Sequence, residues 1–464
     1  MRAGARVGSL LLIAVSALAV EGCSSTPARA PNAICIVVDD LGYADLGVQG
    51  SQDVVTPNID ALARDGVRFT AGYVTSPQCS PSRAGLLTGR YPNRYGFEYN
   101  FMGQWDKGLD PAERTLADLL GDAGYATGMV GKWHLGKTEA LRPGSRGFAE
   151  TLWHPNGGVY MPGPATGSLP GLFRGSAPAE LRGYSTDAFT DEAIAFIDRH
   201  RAEPFFLYLA YVAPHWPMEA KPKELARFAH VEDLQRRAFL AMMASLDENI
   251  GRLMQALRDA NLEEQTLVIF SSDNGGATGA PRPRPDAPFV HGVNTSSNAP
   301  FRGDKRDLLE GGIRIPFLFQ WKGRLPAGLV YDEPVISLDV LPTVLAAAGV
   351  AKPGWHLDGV DLLPFLRGDR SDAPHDALFW RFDFLPAGVA TPRRWAIRAG
   401  DWKLVKNARE PLALYDLRDD PAESRNLAGR DPARVAKLRA QWQAWNAEMK
   451  PPAWPPRAPG ATAE

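Results

Sequence analysis

The sequence predicts an α/β fold: a large, mostly parallel sheet covered by helices on both faces, with a smaller C-terminal companion of short strands. Three observations predict it. The runs AICIVV, PFFLYLA and TLVIF are apolar and unbroken, rich in branched and aromatic residues, as strands buried on both faces must be. Segments with apolar residues at helical spacing alternate with them, the order that produces parallel strands joined by crossover helices. Beyond about residue 345 this alternation gives way to short segments around turns.

The elements follow in order. NAICIVVDD is a buried strand that ends in two carboxylates, and TPNIDALARDG after it is a helix with proline in its first turn. VRFTAGYV is β-like. TLADLLGDAG is helical and leads into the strand of YATGMVGKWHLG. Phe189, Ala193, Phe196 and Ile197 share one helical face just before the strand-like PFFLYLAYVAPH. Phe239, Met242, Leu246, Ile250, Leu253 and Leu257 keep helical spacing, and TLVIFSSDNGG follows as another buried strand. SLDVLPTVLAAAGV is a helix; beyond it RAGDWKL reads as two short strands about a Gly-Asp turn. RVAKLRAQWQAWNAEM is the expected terminal helix and PPAWPPRAPGATAE a loose tail.

The N-terminus has the layout of an export signal. MRAGARVGSLLLIAVSALAVEGC carries two arginines, an apolar run from Leu10 to Val20 and small residues before Cys23, too short to span a bilayer as a mature helix. Its closing VEGC resembles a bacterial lipoprotein box, which implies cleavage before Cys23 and a lipid on that cysteine; plain secretion is the alternative. The expected organisation is a signal peptide at 1–22, a tether at 23–31, a large domain at 32–345 and an α+β subdomain with its tail at 346–464. The expected location is outside the cytoplasm: periplasm or outer membrane as a lipoprotein, otherwise secreted. A net charge of -2 gives no electrostatic footprint for nucleic acid. An apolar content of 45% with 12 tryptophans indicates a packed globular protein.

The polar chemistry gathers where strands end, which is where sites form in this architecture. AICIVV ends in Asp39 and Asp40, and TLVIFSS ends in Asp273 and Asn274. Adjacent carboxylates repel, and a cation held by both pairs relieves the repulsion; an all-oxygen set suits calcium or magnesium better than zinc. Three further strand ends carry bases: Lys132 and His134 two residues apart, His215 between prolines, and Lys305 shortly before a glycine pair. With the carboxylates they suggest a pocket for an anionic, tetrahedral group. Cys35 lies within a buried strand and reads as a small core hydrophobe. A disulfide between it and Cys79 is arithmetically allowed, but a strand interior and a polar helix start make poor partners.

Cys79 opens CSPSRAGLLTG, which matches the signature CxPSRxxxLTG. DDLGYADLG, GKWHLG, PH, SSDNGG and FRGDKRDLLEGGIRIP accompany it. On these motifs, from about Asn32 to Leu427, the sequence resembles the type I sulfatases of the alkaline phosphatase superfamily, of the arylsulfatase-like and N-acetylgalactosamine-6-sulfatase-like kind. The resemblance implies an alkaline phosphatase-like fold with a small C-terminal antiparallel sheet, and a catalytic domain at 32–345. It implies that a maturation enzyme oxidises Cys79 to formylglycine. One hydroxyl of the aldehyde hydrate attacks sulfur and expels the alcohol; the other loses its proton, re-forms the carbonyl and ejects sulfate. Asp39, Asp40, Asp273 and Asn274 match the metal ligands, usually calcium, with the modified residue 79 and the substrate sulfate completing the shell. Arg83 and Lys132 match residues that hold the hydrate, and His134 matches the base that assists its collapse. His215 and Lys305 match groups that contact sulfate and its leaving oxygen, one of which supplies the proton.

The substrate class implied is a sulfated carbohydrate or an aryl sulfate. RYGFEYN, LWHPNGGVYMPGPATGSLPGLFRG and ATGAPRPRPDAPFVHGVNTSSNAP read as loops above the site. His154, Asn156 and Arg174 are candidates there for contacting sugar hydroxyls or a carboxylate, solvated loop residues being the plainer reading. Two rivals stand beside the sulfatase: a formylglycine-dependent phosphonate or phosphate ester hydrolase, and a glycan-binding lipoprotein whose Cys79 is never matured.

Overall fold

The run NAICIVV forms a strand buried at every position, and it lies inside a ten-stranded sheet. The computed structural model describes residues 29–454 apart from 102–105, 158, 163–170, 279–295, 383–393 and 408–409, together with residues 1 and 4. Cys23, the expected signal segment and parts of two expected loops lie outside the described residues. In chain order the strands are β1 (Asn32–Val38), β2 (Val67–Phe69), β3 (Gly72–Tyr73), β4 (Ala126–Lys132), β5 (Glu150–His154), β6 (Leu172–Arg174), β7 (Ala177–Ala179), β8 (Phe205–Ala210), β9 (Thr266–Ser272), β10 (Phe317–Gln320), β11 (Leu329–Tyr331), β12 (Val335–Ile336), β13 (Leu378–Arg381), β14 (Trp395–Ala399), β15 (Trp402–Lys406) and β16 (Ala413–Asp416).

The large sheet runs β11-β2-β10-β9-β1-β8-β4-β5-β6-β7. From β9 through β5 the pairs are all parallel, and antiparallel pairing is confined to β10 and to the β6–β7 end. Successive side chains of β1 go to opposite faces, as the pleat requires. Ala33, Cys35 and Val37 join one apolar cluster, and Ile34, Ile36 and Val38 join the other. Helices Pro57–Arg64, Ser185–His200 and Leu234–Asp259 cover the second face; Cys79–Thr88, Leu116–Asp122 and Val340–Ala348 cover the first. Cys35 and Cys79 are both buried and unpaired.

A separate antiparallel sheet, β13-β14-β15-β16, follows, with β14 and β15 turning about Gly400 and Asp401. The helix Pro432–Ala447 packs on it through Trp442 against Trp395 (ring centroids 4.6 Å apart) and Trp445 against Phe379 (5.3 Å). Two readings are corrected. VRFTAGYV is two strands in different sheets, since β3 pairs with β12 and β2 with β10 and β11. The stretch read as a loop from Leu152 contains the end of β5 and all of β6, where LFR pairs back on Trp153 and Leu152.

Candidate active site

β1 and β9 run side by side with Val38 level with Ser272, so their two polar tails leave the sheet together. The Asp273 N–H donates to the Val38 carbonyl (3.1 Å) and the Asp39 N–H to the Ala213 carbonyl (3.2 Å). Asp40 has φ of 64°, a left-handed conformation that aspartate adopts more readily than most residues, and its N–H donates to Asp273 Oδ1 (3.2 Å). Asn274 Nδ2 donates to Asp40 Oδ1 (2.7 Å), and Asn274 Oδ1 is left buried with no partner among the described residues. Gly275 must be glycine, because a Cβ there would stand 1.9 Å from the Gly311 carbonyl oxygen.

Asp39, Asp40, Asp273 and Cys79 each offer one atom, all within 4.8 Å of one another. These carboxylate oxygens and the orphaned amide oxygen of Asn274 fit a hard divalent cation, which would satisfy that oxygen and relieve the carboxylate repulsion. Burial, and then Asp39, push the Asp273 carboxyl up to about 6. Burial also opposes ionisation of Asp39, but Lys132, His215 and Arg83 outweigh it and hold that carboxyl well below its ordinary value.

Cys79 is the first residue of a helix whose ten residues are all buried. Its Sγ lies 3.6 Å from Asp39 Oδ1 and receives a contact from Lys305 Nζ at 3.4 Å. Burial and then Asp273 push its pKa up to about 12, so the unmodified side chain is a neutral thiol at neutral pH and a poor nucleophile. One helical turn on, Arg83 grips Asp273 Oδ2 through Nε (2.9 Å) and Nη2 (2.7 Å) and donates to the Lys132 carbonyl (3.2 Å). Lys132 ends β4 with Nζ 2.6 Å from Asp39 Oδ2.

His134 follows two residues later in the left-handed region (φ 55°), its ring edge-on to Phe101 and its buried Nδ1 without a partner among the described residues. Burial, then Lys132 and Arg83, hold its pKa well below the ordinary value, so the imidazole is neutral. His215 stands past β8 with Nδ1 2.6 Å from the Trp216 carbonyl oxygen and Nε2 3.6 Å from Asp40 Oδ2. A carbonyl only accepts, so Nδ1 carries the proton. Lys305 Nζ reaches both Asp40 carboxylate oxygens, at 2.6 and 2.8 Å. Burial opposes its charge most strongly, but Asp40 together with Cys79, Asp39 and Asp273 outweighs burial, so its pKa is raised.

The structure thus brings Asp39, Asp40, Cys79, Arg83, Lys132, His134, His215, Asp273, Asn274 and Lys305 to one end of the sheet. His154 is not a solvated loop residue: it is buried at the end of β5, and its Nδ1 accepts from the Asn156 N–H (3.2 Å) and the Gly157 N–H (2.6 Å). Arg174 is exposed and pairs with Glu192 (2.6 Å). Supporting residues escaped the sequence reading. Ser296 Oγ accepts from the Gly42 N–H (2.9 Å) and Asn298 Oδ1 from the Gly276 N–H (2.9 Å), so the segment SSNAP holds both strand-end loops. The signal was a cluster of small polar residues, indistinguishable in sequence from a surface loop.

Fold and site define a hydrolase of the alkaline phosphatase superfamily, with a buried cluster of carboxylates and a cysteine at the carboxyl ends of parallel strands. The family model described as Sulfatase matches residues 31–350, and this chain belongs to the sulfatase family: it hydrolyses sulfate esters. A second model, N-sulphoglucosamine sulphohydrolase, C-terminal, matches residues 301–447. Human arylsulfatase A is 35% identical, covering 91% of this chain and 86% of its own length. Mouse steryl-sulfatase is 32% identical, with 90% and 83% covered, and dog N-acetylgalactosamine-6-sulfatase 35% identical, with 82% and 74% covered. Among solved structures, Ps i-CgsB in complex with k-i-k-neocarrahexaose is 32% identical, with a TM-score of 0.84, covering 92% of this chain and 95% of that one. A phosphonate monoester hydrolase of Agrobacterium radiobacter, 23% identical with a TM-score of 0.64, shares the fold. Among the described residues, no helix is long and apolar enough to cross a membrane.

Proposed function

We propose that this sulfatase removes sulfate from a sulfated carbohydrate, using formylglycine at position 79 beside a calcium ion, with magnesium as the alternative. The observation that carries the chemistry is the position of Cys79 Sγ, 3.4 Å from Lys305 Nζ and 3.6 Å from Asp39 Oδ1, on a thiol too buried to ionise. The likeness to a protein crystallised with neocarrahexaose, over 92% of this chain, supports the carbohydrate. The hydrated aldehyde supplies a regenerable hydroxyl nucleophile where the thiol could not, and the cation supplies charge to draw in the anionic ester.

The chain's own residues do the rest. Asp39, Asp40, Asp273 and Asn274 hold the cation. Arg83 fixes Asp273, and Lys132 fixes Asp39 beside position 79, so both restrain the nucleophile's surroundings. His134, neutral and with a free Nδ1, accepts the proton released when the sulfated intermediate collapses. Lys305 and His215 face the sulfuryl and leaving oxygens, and one of them delivers the proton to the departing alcohol.

A formylglycine-forming enzyme matures Cys79, and the protein is exported with a lipid on Cys23, for which VEGC is the support. Protein co-expressed with that enzyme is tested on sulfated mono- and oligosaccharides, an aryl sulfate and phosphate esters, with released anion measured. A sulfated sugar should show the highest kcat/KM, and chelation should abolish turnover until calcium is restored. Preference for the aryl sulfate over every sugar would overturn the substrate reading. Cys23→Ala should release the protein from the membrane fraction, and unchanged association would remove the lipid.

A further inference from the structure

We infer that Trp216 is a stacking platform for the sugar ring that carries the leaving oxygen, and so helps set substrate choice; this rests on the carbohydrate reading above. Most aromatic side chains in this protein are buried, and the exposed large apolar ones among the described residues are Met1, Val55, Trp216, Leu234, Val330 and Trp355. Trp216 is the one of these bonded directly to a residue of the site. Trp216 is 50% exposed as a residue, while the neighbouring His215 side chain is 15% exposed and aims Nε2 at Asp40. The two rings lie near parallel, 26° apart with centroids at 5.9 Å, and Trp216 is the more exposed of the two.

The backbone from which the indole projects is tied to the site: the Trp216 carbonyl oxygen accepts from His215 Nδ1 at 2.6 Å, and Pro217 follows. A pyranose presents a face of C–H groups and a polar rim. An aromatic face with its negative quadrupole, half open to solvent, takes the C–H face and leaves the rim hydroxyls hydrated. In a sugar sulfate the leaving oxygen is attached to that ring, so the ring must lie beside the groups that attend the leaving oxygen. His215 is one of them, and Trp216 is the apolar surface next to it.

The test compares Trp216→Ala and Trp216→Phe with the parent, both matured at Cys79. For the best sulfated sugar, Trp216→Ala should raise KM about tenfold and Trp216→Phe should recover most of that. The inhibition constant of inorganic sulfate, which occupies the anion pocket without a sugar ring, should stay within twofold in both. An unchanged KM in Trp216→Ala overturns the platform. So does a parallel rise in the sulfate inhibition constant, which would mean that Trp216 acts only by placing His215. A parent that cleaves no sulfated sugar would instead sink the carbohydrate reading, and this inference with it.

Discussion

Two clusters of buried charge in this molecule differ in how they are closed. At the strand ends, Asp39, Asp40 and Asp273 face Lys132, Lys305 and Arg83, yet Asn274 Oδ1 and His134 Nδ1 stay buried with no partner among the described residues. At the junction with the small sheet, Lys403 of β15 lies between Glu310 (2.8 Å) and Glu423 (3.0 Å), and the Glu310 N–H donates to Glu423 Oε2 (2.7 Å). Tyr73 donates to Glu310 Oε2 (2.5 Å) and Arg314 adds a contact at 3.2 Å. Glu310, with three cations around it, is held at about 2 although burial opposes its charge; Glu423, with one, is pushed by burial to about 7. In the second cluster Glu423 Oε1 also lacks a hydrogen bond among the described residues but lies 3.0 Å from the Lys403 ammonium. Asn274 Oδ1 of the first has no cation of the chain beside it in the ion pairs described, so the first can take up an ion and the second fastens one sheet to another.

That contrast predicts that substitutions in the first cluster cost turnover and substitutions in the second cost stability. Cys79→Ser should lose repeated turnover altogether, since a serine can be sulfated once and lacks the second hydroxyl that expels sulfate. The mass of the peptide containing residue 79 should show at most one sulfation per molecule, and sustained turnover by the serine form would sink the aldehyde. Asp273→Asn should lower bound divalent metal and turnover together, turnover by roughly 1,000-fold, with metal analysis and kinetics on the same preparation. Lys305→Ala should lower turnover by about 100-fold, as loss of one preorganised charge does. Its thermal midpoint should hold, so an unfolded variant would blur the contrast. Lys403→Met should cost about 3–5 kcal/mol in denaturant unfolding, because two carboxylates are left buried without their cation. Its turnover per folded molecule should change only a few-fold. Adding Glu310→Gln and Glu423→Gln to it should recover much of the loss, and failure to recover would mean that packing, not charge, makes the joint.

The same contrast marks what the sequence disclosed. Asp39, Asp40, Asp273 and Asn274 were legible because each pair terminates an unbroken apolar run, and parallel strands deliver their ends to one place. Lys403 was not, because WKLVK alternates as a half-exposed hairpin strand does, and nothing local shows that its lysine points into the protein. Glu310 and Glu423 lie more than a hundred residues apart in chain order, so their meeting is tertiary information. VRFTAGYV is β, as its propensity predicts, but only the partners of β2 and β3 divide it into two strands of different sheets. His154 read as a loop residue because His-Pro-Asn-Gly is turn chemistry, and the burial of its ring comes from neighbours.

The helix that begins at Cys79 is closed on every side, with Ser80, Pro81, Ser82 and Arg83 as hidden as the thiol itself. An enzyme that oxidises this cysteine by reading the residues after it must meet them as an open strand of chain. Folding therefore sets a deadline. On the proposed reading, maturation would have to precede the packing of Cys79–Thr88 against Val340–Ala348, and a chain that packs first would keep an ordinary buried thiol there. On that reading the yield of folded chain and the yield of active enzyme would be separate quantities, and the supply of the modifier would set their ratio.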